Sequence, residues 1–271
     1  MQPKIAVVLG SGGLRGISQV GVLKVLEDEN IKIDHIVGCS MGSLIGALYC
    51  CGHTTDNILK LAMNLKREHW FDIKIGKMGL CSGEQALTIM KLLTQKRKFS
   101  ETDISLSIVA ADLNAGEEVV FSEGSVAEAV RASISIPGVF MPYQKGEMLL
   151  VDGAVVNPTP IDIAFNNGAD IVIAVDISAR PSGNQPMNMW GLLDQTINIM
   201  GQQSIHEELN QANVIIQPKV GHLGTLDLKA SNASILEGEK ATQLKIIAIK
   251  KAISDFKKSP AAFKPAPKSR I

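Results

Sequence analysis

Ile33-Asp34-His35-Ile36-Val37-Gly38-Cys39-Ser40-Met41-Gly42-Ser43-Leu44-Ile45-Gly46-Ala47-Leu48 is the stretch on which the reading of the chain turns. Residues 33–37 are a largely apolar run of strand character, and residues 44–48 continue as helix. Between them Gly38, Ser40 and Gly42 form a GxSxG pentapeptide. The order is strand, tight turn, helix. A serine hydroxyl becomes an exposed nucleophile where the chain turns so sharply that only glycine fits beside it. The helix that follows points its first amide N–H groups at the place where negative charge would build. The same string also describes a glycine-lined turn without chemistry, so the rest of the chain has to decide.

A second glycine cluster lies upstream. Lys4-Ile5-Ala6-Val7-Val8-Leu9 reads as a buried strand, and Gly10-Ser11-Gly12-Gly13-Leu14-Arg15-Gly16 follows at its carboxyl end. Apolar residues then recur at helical spacing over 14–29 (Ile17, Val20, Val22, Leu23, Val25, Leu26). A glycine loop opening a helix offers backbone donors to an anion. That anion is either a phosphate or the oxyanion of a tetrahedral acyl intermediate. Nucleotide binding fits poorly. The glycines at 10, 12 and 16 leave one residue too many for GxGxxG, and the acid Asp34 opens the second strand instead of closing it. No GxxxxGK[ST] string is present.

Acyl transfer makes a further demand, because a serine hydroxyl needs a base. Met148-Leu149-Leu150-Val151 ends in Asp152-Gly153-Ala154. An aspartate at a strand end, followed by glycine, is placed as a site carboxylate is in an open α/β sheet. It is equally placed as an Asx-type turn residue.

Taken together, these elements resemble the patatin-like phospholipases: a glycine-rich loop ending in Lys/Arg-Gly, then GxSxG, then Asp-Gly-Gly or Asp-Gly-Ala. The chain carries Gly12-Gly13-Leu14-Arg15-Gly16, Gly38 to Gly42 and Asp152-Gly153-Ala154 in that order. The block Ala132-Ser133-Ile134-Ser135-Ile136-Pro137-Gly138-Val139-Phe140-Met141-Pro142 is similar to the family's Ala-Ser…Pro…Phe…Pro segment. The resemblance covers roughly residues 4–180, and one departure is Ser11, where many members have another glycine.

The resemblance implies a three-layer α/β sandwich with a mostly parallel central sheet and helices on both faces. It implies a catalytic dyad of Ser40 as nucleophile and Asp152 as base, without histidine, metal or cofactor. The oxyanion hole falls to the amides of Gly12, Gly13 and Met41, with Gly16, Gly38, Gly42 and Gly153 supporting the motifs. The implied substrate is a lipid ester, phospholipid or lysophospholipid. An aspartate of ordinary pKa, about 3.9, is a feeble base at neutral pH. Burial that raises the carboxylate pKa and a strong oxyanion hole, each donor worth roughly 3–4 kcal/mol, are the available compensations. Arg15 has three readings: an anchor for the loop, a contact for a lipid phosphate, or a solvated residue at a helix start.

Two other readings stay open. A Ser–Asp–His hydrolase is permitted by chain order, since His206 and His222 follow Asp152. Against it, only one strand and one helix precede the strand of Ser40, His206 sits in a polar helix-like stretch, and His222 lies between glycines. His35, His53 and His69 are given no role. A lipid-binding regulatory protein on the same scaffold, without turnover, is the other reading.

Composition sets the remaining expectations. The 271 residues suit one domain over 1–256, followed by a basic tail over 257–271 with no fixed structure. Equal numbers of basic and acidic side chains, 27 each, give no reason to expect nucleic acid. No apolar stretch approaches the ~18 residues of a membrane span, and Met1-Gln2-Pro3-Lys4 leads straight into a strand. Cysteines 39, 50, 51 and 81 lack zinc or CxxC spacing and suit a reducing, cytoplasmic setting. Elsewhere the pattern predicts a helix opened by a capping box at Ser82-Gly83-Glu84-Gln85 and reaching about residue 95. It also predicts strands at 104–111 and 118–121, a helix over 125–134 stopped by Pro137, and strands at 170–177 and 214–217. One long amphipathic helix is expected over 232–256. Two apolar segments, His69-Trp70-Phe71 and the stretch from Met187 to Met200, are candidates for peripheral contact with a membrane, or for core packing. Oligomeric state is not legible.

Overall fold

Strand β1 (Ile5–Leu9) is apolar and buried at every position, as a strand covered on both faces must be. The computed structural model describes residues 2–64, 67–74, 76–177, 192–193, 195–196, 199, 209–221 and 231–259. After β1 the glycine loop winds into a 3₁₀ turn at Gly13–Ile17 before α1 (Ser18–Asp28) begins, so the helix expected over 14–29 opens as a tighter coil. Next come β2 (His35–Cys39), α2 (Met41–Cys50), α3 (Thr55–Asn64), α4 (Arg67–Trp70), β3 (Gly79–Cys81) and α5 (Glu84–Leu93). The middle of the chain supplies β4 (Ser105–Asp112), β5 (Glu117–Phe121), α6 (Val126–Ser133), β6 (Gly138–Phe140), β7 (Tyr143–Lys145) and β8 (Met148–Asp152). The last described elements are α7 (Ile161–Asn166), β9 (Ile171–Val175), β10 (Val214–Ile216), α8 (Ser231–Gln243) and α9 (Ile246–Lys258).

The main sheet has the order β10-β9-β1-β2-β4-β8-β7, with β5 also paired to β4, and β3 and β6 form a separate short pair. Strands β10, β9, β1, β2 and β4 run parallel, whereas β5 and β8 run antiparallel to β4. Alternate residues of β1 serve two cores. Ile5, Val7 and Leu9 join α1, α2 and α6 on one face, while Ala6 and Val8 join Ile161, Ile163 and Ala164 of α7 on the other. This is the three-layer α/β arrangement expected from the sequence.

The partners of β4 decide where the site forms. β2 pairs with residues 105–109 of β4, β8 with 110–112, and β5 with 108–112. Because β5 overlaps both stretches, it must hold the opposite edge. β2 and β8 therefore share one edge end to end, running toward each other. Cys39 lies opposite Val109 and Asp152 opposite Ala110, so the two carboxyl ends meet.

Three expectations need correction. The capping box does not cap α5. Gly83 is its N-cap residue at φ 79, and the carboxylate of Asp72 reaches across to accept from the amides of Gly83 (2.8 Å) and Glu84 (3.2 Å) and from the Ser82 hydroxyl. The helix over 232–256 is two helices, broken between Gln243 and Ile246. α8 lies so close to α1 that a Cβ at Gly238 would stand 1.9 Å from the Ser18 carbonyl oxygen and one at Gly21 2.2 Å from that of Ile235. α9 buries a different set, Ile249 and Phe256, and the chain turns to reach it. α9 also carries Lys257 and Lys258, which were expected to begin the tail; residues 260–271 lie outside the described residues.

Candidate active site

Ser40 follows β2 with φ 53 and ψ −121, backbone angles that an L-residue rarely adopts, at a cost of order 1–3 kcal/mol. The glycines around it are needed for space. A Cβ at Gly42 would stand 1.9 Å from the Leu9 carbonyl oxygen, and one at Gly38 would stand 2.6 Å from Ser43 Cα. The turn is tied down from three sides. Ser43 Oγ donates to the Ser40 carbonyl (2.7 Å), the Ser40 amide donates to Ser133 Oγ (2.8 Å), and Ser133 Oγ donates to the Val109 carbonyl (2.6 Å).

Ser40 Oγ donates to Asp152 Oδ2 at 2.6 Å, and both residues are buried. The other oxygen, Oδ1, accepts the Ala154 amide at 2.9 Å. Asp152 arrives by a route the sequence did not disclose. β8 is antiparallel, so its carboxyl end points back toward the amino ends of the parallel strands. The carboxylate reaches Ser40 because β4 extends beyond β2 and gives β8 a docking edge there. The Asp152 amide is held by the Ser135 carbonyl at 3.0 Å. Residues 133 and 135 thus fix the two halves of the pair from one short segment. Gly153 is required beside them, since a Cβ there would lie 2.5 Å from the Val109 carbonyl oxygen.

The glycine loop packs against the same turn. A Cβ at Gly16 would meet Met41 Cγ at 2.5 Å, and one at Gly12 would meet Ile177 Cδ1 at 2.7 Å; Gly13 sits at φ 56. The loop is anchored through the Gly10 amide on Val175, the Ser11 amide on Pro158 and Gln19 Nε2 on the Gly10 carbonyl (2.6 Å). Ser11 takes part through its backbone, which is why a serine serves at that position. Arg15 is buried and its Nε donates to the Gly12 carbonyl at 3.3 Å, which rules out the solvated reading and supports the anchor. Because the peptide is planar and trans, holding the Gly12 carbonyl toward Arg15 turns the Gly13 N–H the opposite way.

Gly13, Ser40 and Met41 form one end of an apolar cavity of about 150 Å³. Met41, Leu44, Ile45 and Leu48 line it from one face of α2, so the cavity follows that helix away from Ser40. A lining of Leu, Ile, Phe and Trp side chains suits an apolar ligand. Trp70 and Phe71 belong to its wall, and Phe71 stacks on Phe140 with centroids 5.2 Å apart. Of the His69-Trp70-Phe71 segment, for which membrane contact and core packing were both open, only His69 is exposed, and Trp70 and Phe71 follow the packing alternative. The stretch from Met187 through Trp190 lies outside the described residues.

The described histidines do not join the pair. His35 is at the opposite end of β2, about 16 Å away at strand rise, hydrogen-bonded to Ser105 Oγ (2.8 Å) and Ser107 Oγ (3.1 Å). Burial pushes its pKa down to about 4. His53 Nε2 contacts the Leu93 carbonyl (2.8 Å), and His206 and His222 lie outside the described residues. Cys39, adjacent to Ser40, is held as a thiol: burial first, then the Asp152 carboxylate, push its pKa well above the ordinary value. No group of three or more His, Cys, Asp or Glu able to hold a metal occurs among the described residues.

Sequence reasoning missed Ser133, Ser135 and Arg131 as parts of the site. Arg131, in the last turn of α6, is buried and donates to the carbonyls of Ser82, Gly83 and Met141 and to Ser135 Oγ. For the two serines the signal was present in the Ala132–Pro142 block, but its meaning needs the third dimension; Arg131 lies just before that block.

The patatin-like phospholipase family model matches residues 7–165, which include every motif above. An NTE family protein of Mycobacterium tuberculosis is 33% identical over 184 residues, covering 67% of this chain and 51% of that protein. Patatin-like phospholipase domain-containing protein 6 of Homo sapiens is 31% identical over 207 residues, covering 72% of this chain and 15% of that protein. The chain thus spans about half the length of the mycobacterial relative and a small part of the human one. Among solved structures, VipD from Legionella pneumophila superposes with TM-score 0.59 at 12% identity over 94% of this chain and 67% of that one, a likeness of fold. With the motifs, the sheet and the family match in agreement, the chain belongs to the patatin-like phospholipase family.

Proposed function

We propose that the protein is a serine acyl hydrolase that cleaves carboxylic ester bonds of lipids through an acyl-enzyme at Ser40. The observation that carries this reading is the buried 2.6 Å hydrogen bond from Ser40 Oγ to Asp152 Oδ2 at the head of an apolar cavity. Membership of the family supports lipid ester hydrolysis in general. The direct contact of Ser40 with Asp152 supports the dyad that the resemblance implies.

Asp152 Oδ2 takes the proton from Ser40 Oγ as that oxygen attacks the ester carbonyl carbon. The carbonyl oxygen becomes an oxyanion, and the amides of Gly12, Gly13 and Met41 are the donors proposed to receive it. Collapse of the intermediate breaks the carbon–oxygen bond to the alcohol, which leaves with the proton from Asp152. A water molecule then gives its proton to Asp152, attacks the acyl carbon and releases the fatty acid, and the proton returns to Ser40 Oγ. The Ala154 N–H on Oδ1 keeps the carboxylate turned so that Oδ2 faces the hydroxyl. In a Ser–Asp–His triad an imidazole would stand between these two oxygens, and the direct bond favours the dyad.

The test is labelling with a fluorophosphonate probe together with hydrolysis of an ester panel varied one feature at a time. Wild-type protein is expected to label and turn over. Ser40→Ala is expected to do neither, and Asp152→Asn to retain the fold with almost no turnover. A double replacement of His206 and His222 that is inactive but folded overturns the dyad, and an unlabelled, inactive wild type leaves the lipid-binding reading in its place.

A further inference from the structure

One outward-facing apolar surface near the cavity is formed by residues 73–74 and 76–81, which fold back as a hairpin. Ile73 bridges to Cys81, and the Lys74 amide donates to the Leu80 carbonyl at 2.8 Å. Ile73 is 81% exposed, Met78 58% and Leu80 37%. Lys74 and Lys77 are exposed between them, and between Asp72 and Glu84 the chain carries these two cations and no acid. The base of the hairpin adjoins the cavity wall. Phe71 precedes it, and β3, its second arm, pairs with β6, whose Phe140 stacks on Phe71. The Met141 amide closes the junction on the Cys81 carbonyl at 2.8 Å.

We propose that this hairpin is an interfacial anchor that seats the protein on an anionic bilayer, with Ile73 and Met78 entering the acyl boundary and Lys74 and Lys77 meeting lipid head-group phosphates. The inference rests on the lipid-ester reading of the site and names the surface from which its substrate comes. Large apolar side chains alone would suit a protein partner equally. Lysines interleaved with them, on an arm continuous with the wall of an apolar cavity, select a negatively charged lipid surface. A bilayer also places Ile73, Met78 and Leu80 beside the cavity that an acyl chain must enter from it.

The experiment uses the full chain and flotation with vesicles of phosphatidylcholine alone or with added phosphatidylserine. Each lysine near such a surface contributes about a five-fold gain in binding, so K74Q/K77Q together are expected to bind anionic vesicles about 30-fold more weakly. I73S/M78S is expected to lose binding to both vesicle types. All four positions are solvent-facing, so both variants keep wild-type hydrolysis of a water-soluble short-chain ester without vesicles. Wild-type protein that ignores anionic vesicles, or variants that bind as wild type does, overturns the proposal. So does a wild-type dimer that I73S/M78S dissociates while vesicle binding persists, which assigns the patch to a second copy. Vesicle binding that depends on the hairpin, in a protein that hydrolyses no ester, retains the anchor and removes the hydrolase reading.

Discussion

Replacing Ser133 with alanine tests how the site is held more sharply than replacing either member of the pair. Ser133 has no exposed surface, and its hydroxyl accepts the Ser40 amide and donates to the Val109 carbonyl. The variant leaves a buried donor without its acceptor, which costs about 1–3 kcal/mol. That donor belongs to a turn already carrying ~1–3 kcal/mol of backbone strain, so relaxation concentrates at Ser40. The expected result is a folded protein less stable by about 1–3 kcal/mol. Turnover on a soluble ester should fall roughly 10–100-fold, since a shift of about 1 Å suffices for that, with KM little changed because the cavity is untouched. Urea unfolding, fluorophosphonate labelling rates and steady-state kinetics measure the three quantities. Ser135→Ala is the control. It removes contacts to Arg131 while keeping the carbonyl that holds Asp152, so it should lose stability and largely keep kcat. Ser133→Ala labelling at the wild-type rate with wild-type kcat would refute the idea that this hydroxyl sets the turn.

Three further outcomes are expected. Gly42→Ala, whose Cβ would stand 1.9 Å from a backbone oxygen, should lower the unfolding midpoint severely and abolish labelling, whereas Gly116→Ala, facing open space at φ 71, should cost about 1 kcal/mol and leave activity intact. Leu48→Trp fills the cavity beyond Ser40 and should shift ester preference toward shorter acyl chains, read as kcat/KM across a chain-length series. His35 stays neutral in the fold to a pKa of about 4, while in the unfolded chain it protonates near 6.5. The unfolded state therefore binds more protons between those values, and stability should fall as pH drops from 6.5 to 4, by about 1–3 kcal/mol after allowance for partial exposure. His35→Gln should flatten that slope in urea titrations without altering activity at pH 7.

Much of the site was legible because its requirements are steric and local. Gly38, Gly42 and the strand–turn–helix order around Ser40 follow from nearest neighbours, and so does the glycine loop after β1. Asp152 was legible as a residue but not as a placement. Nothing in Met148-Leu149-Leu150-Val151 states that β8 runs antiparallel; that follows from β4 extending past β2. Trp70 and Phe71 left membrane contact and core packing both open, because an aromatic beside a loop looks the same whether it faces out or stacks on Phe140, some seventy residues later. The break between α8 and α9 was hidden for a similar reason. A continuous 3.6-residue period does not reveal that Gly238 is pinned to α1 while Ile249 and Phe256 belong to another contact.

The abutment of β2 and β8 on one edge of β4 has a bearing on how the chain matures. If β8 slipped by a single position along that edge, every one of its side chains would swap faces, and Asp152 would be carried away from Ser40. A sheet assembled out of register could keep nearly all its apolar burial and still be chemically mute. Fluorophosphonate labelling of the proposed nucleophile Ser40 should thus report strand alignment, and its appearance during refolding should lag behind the return of secondary structure.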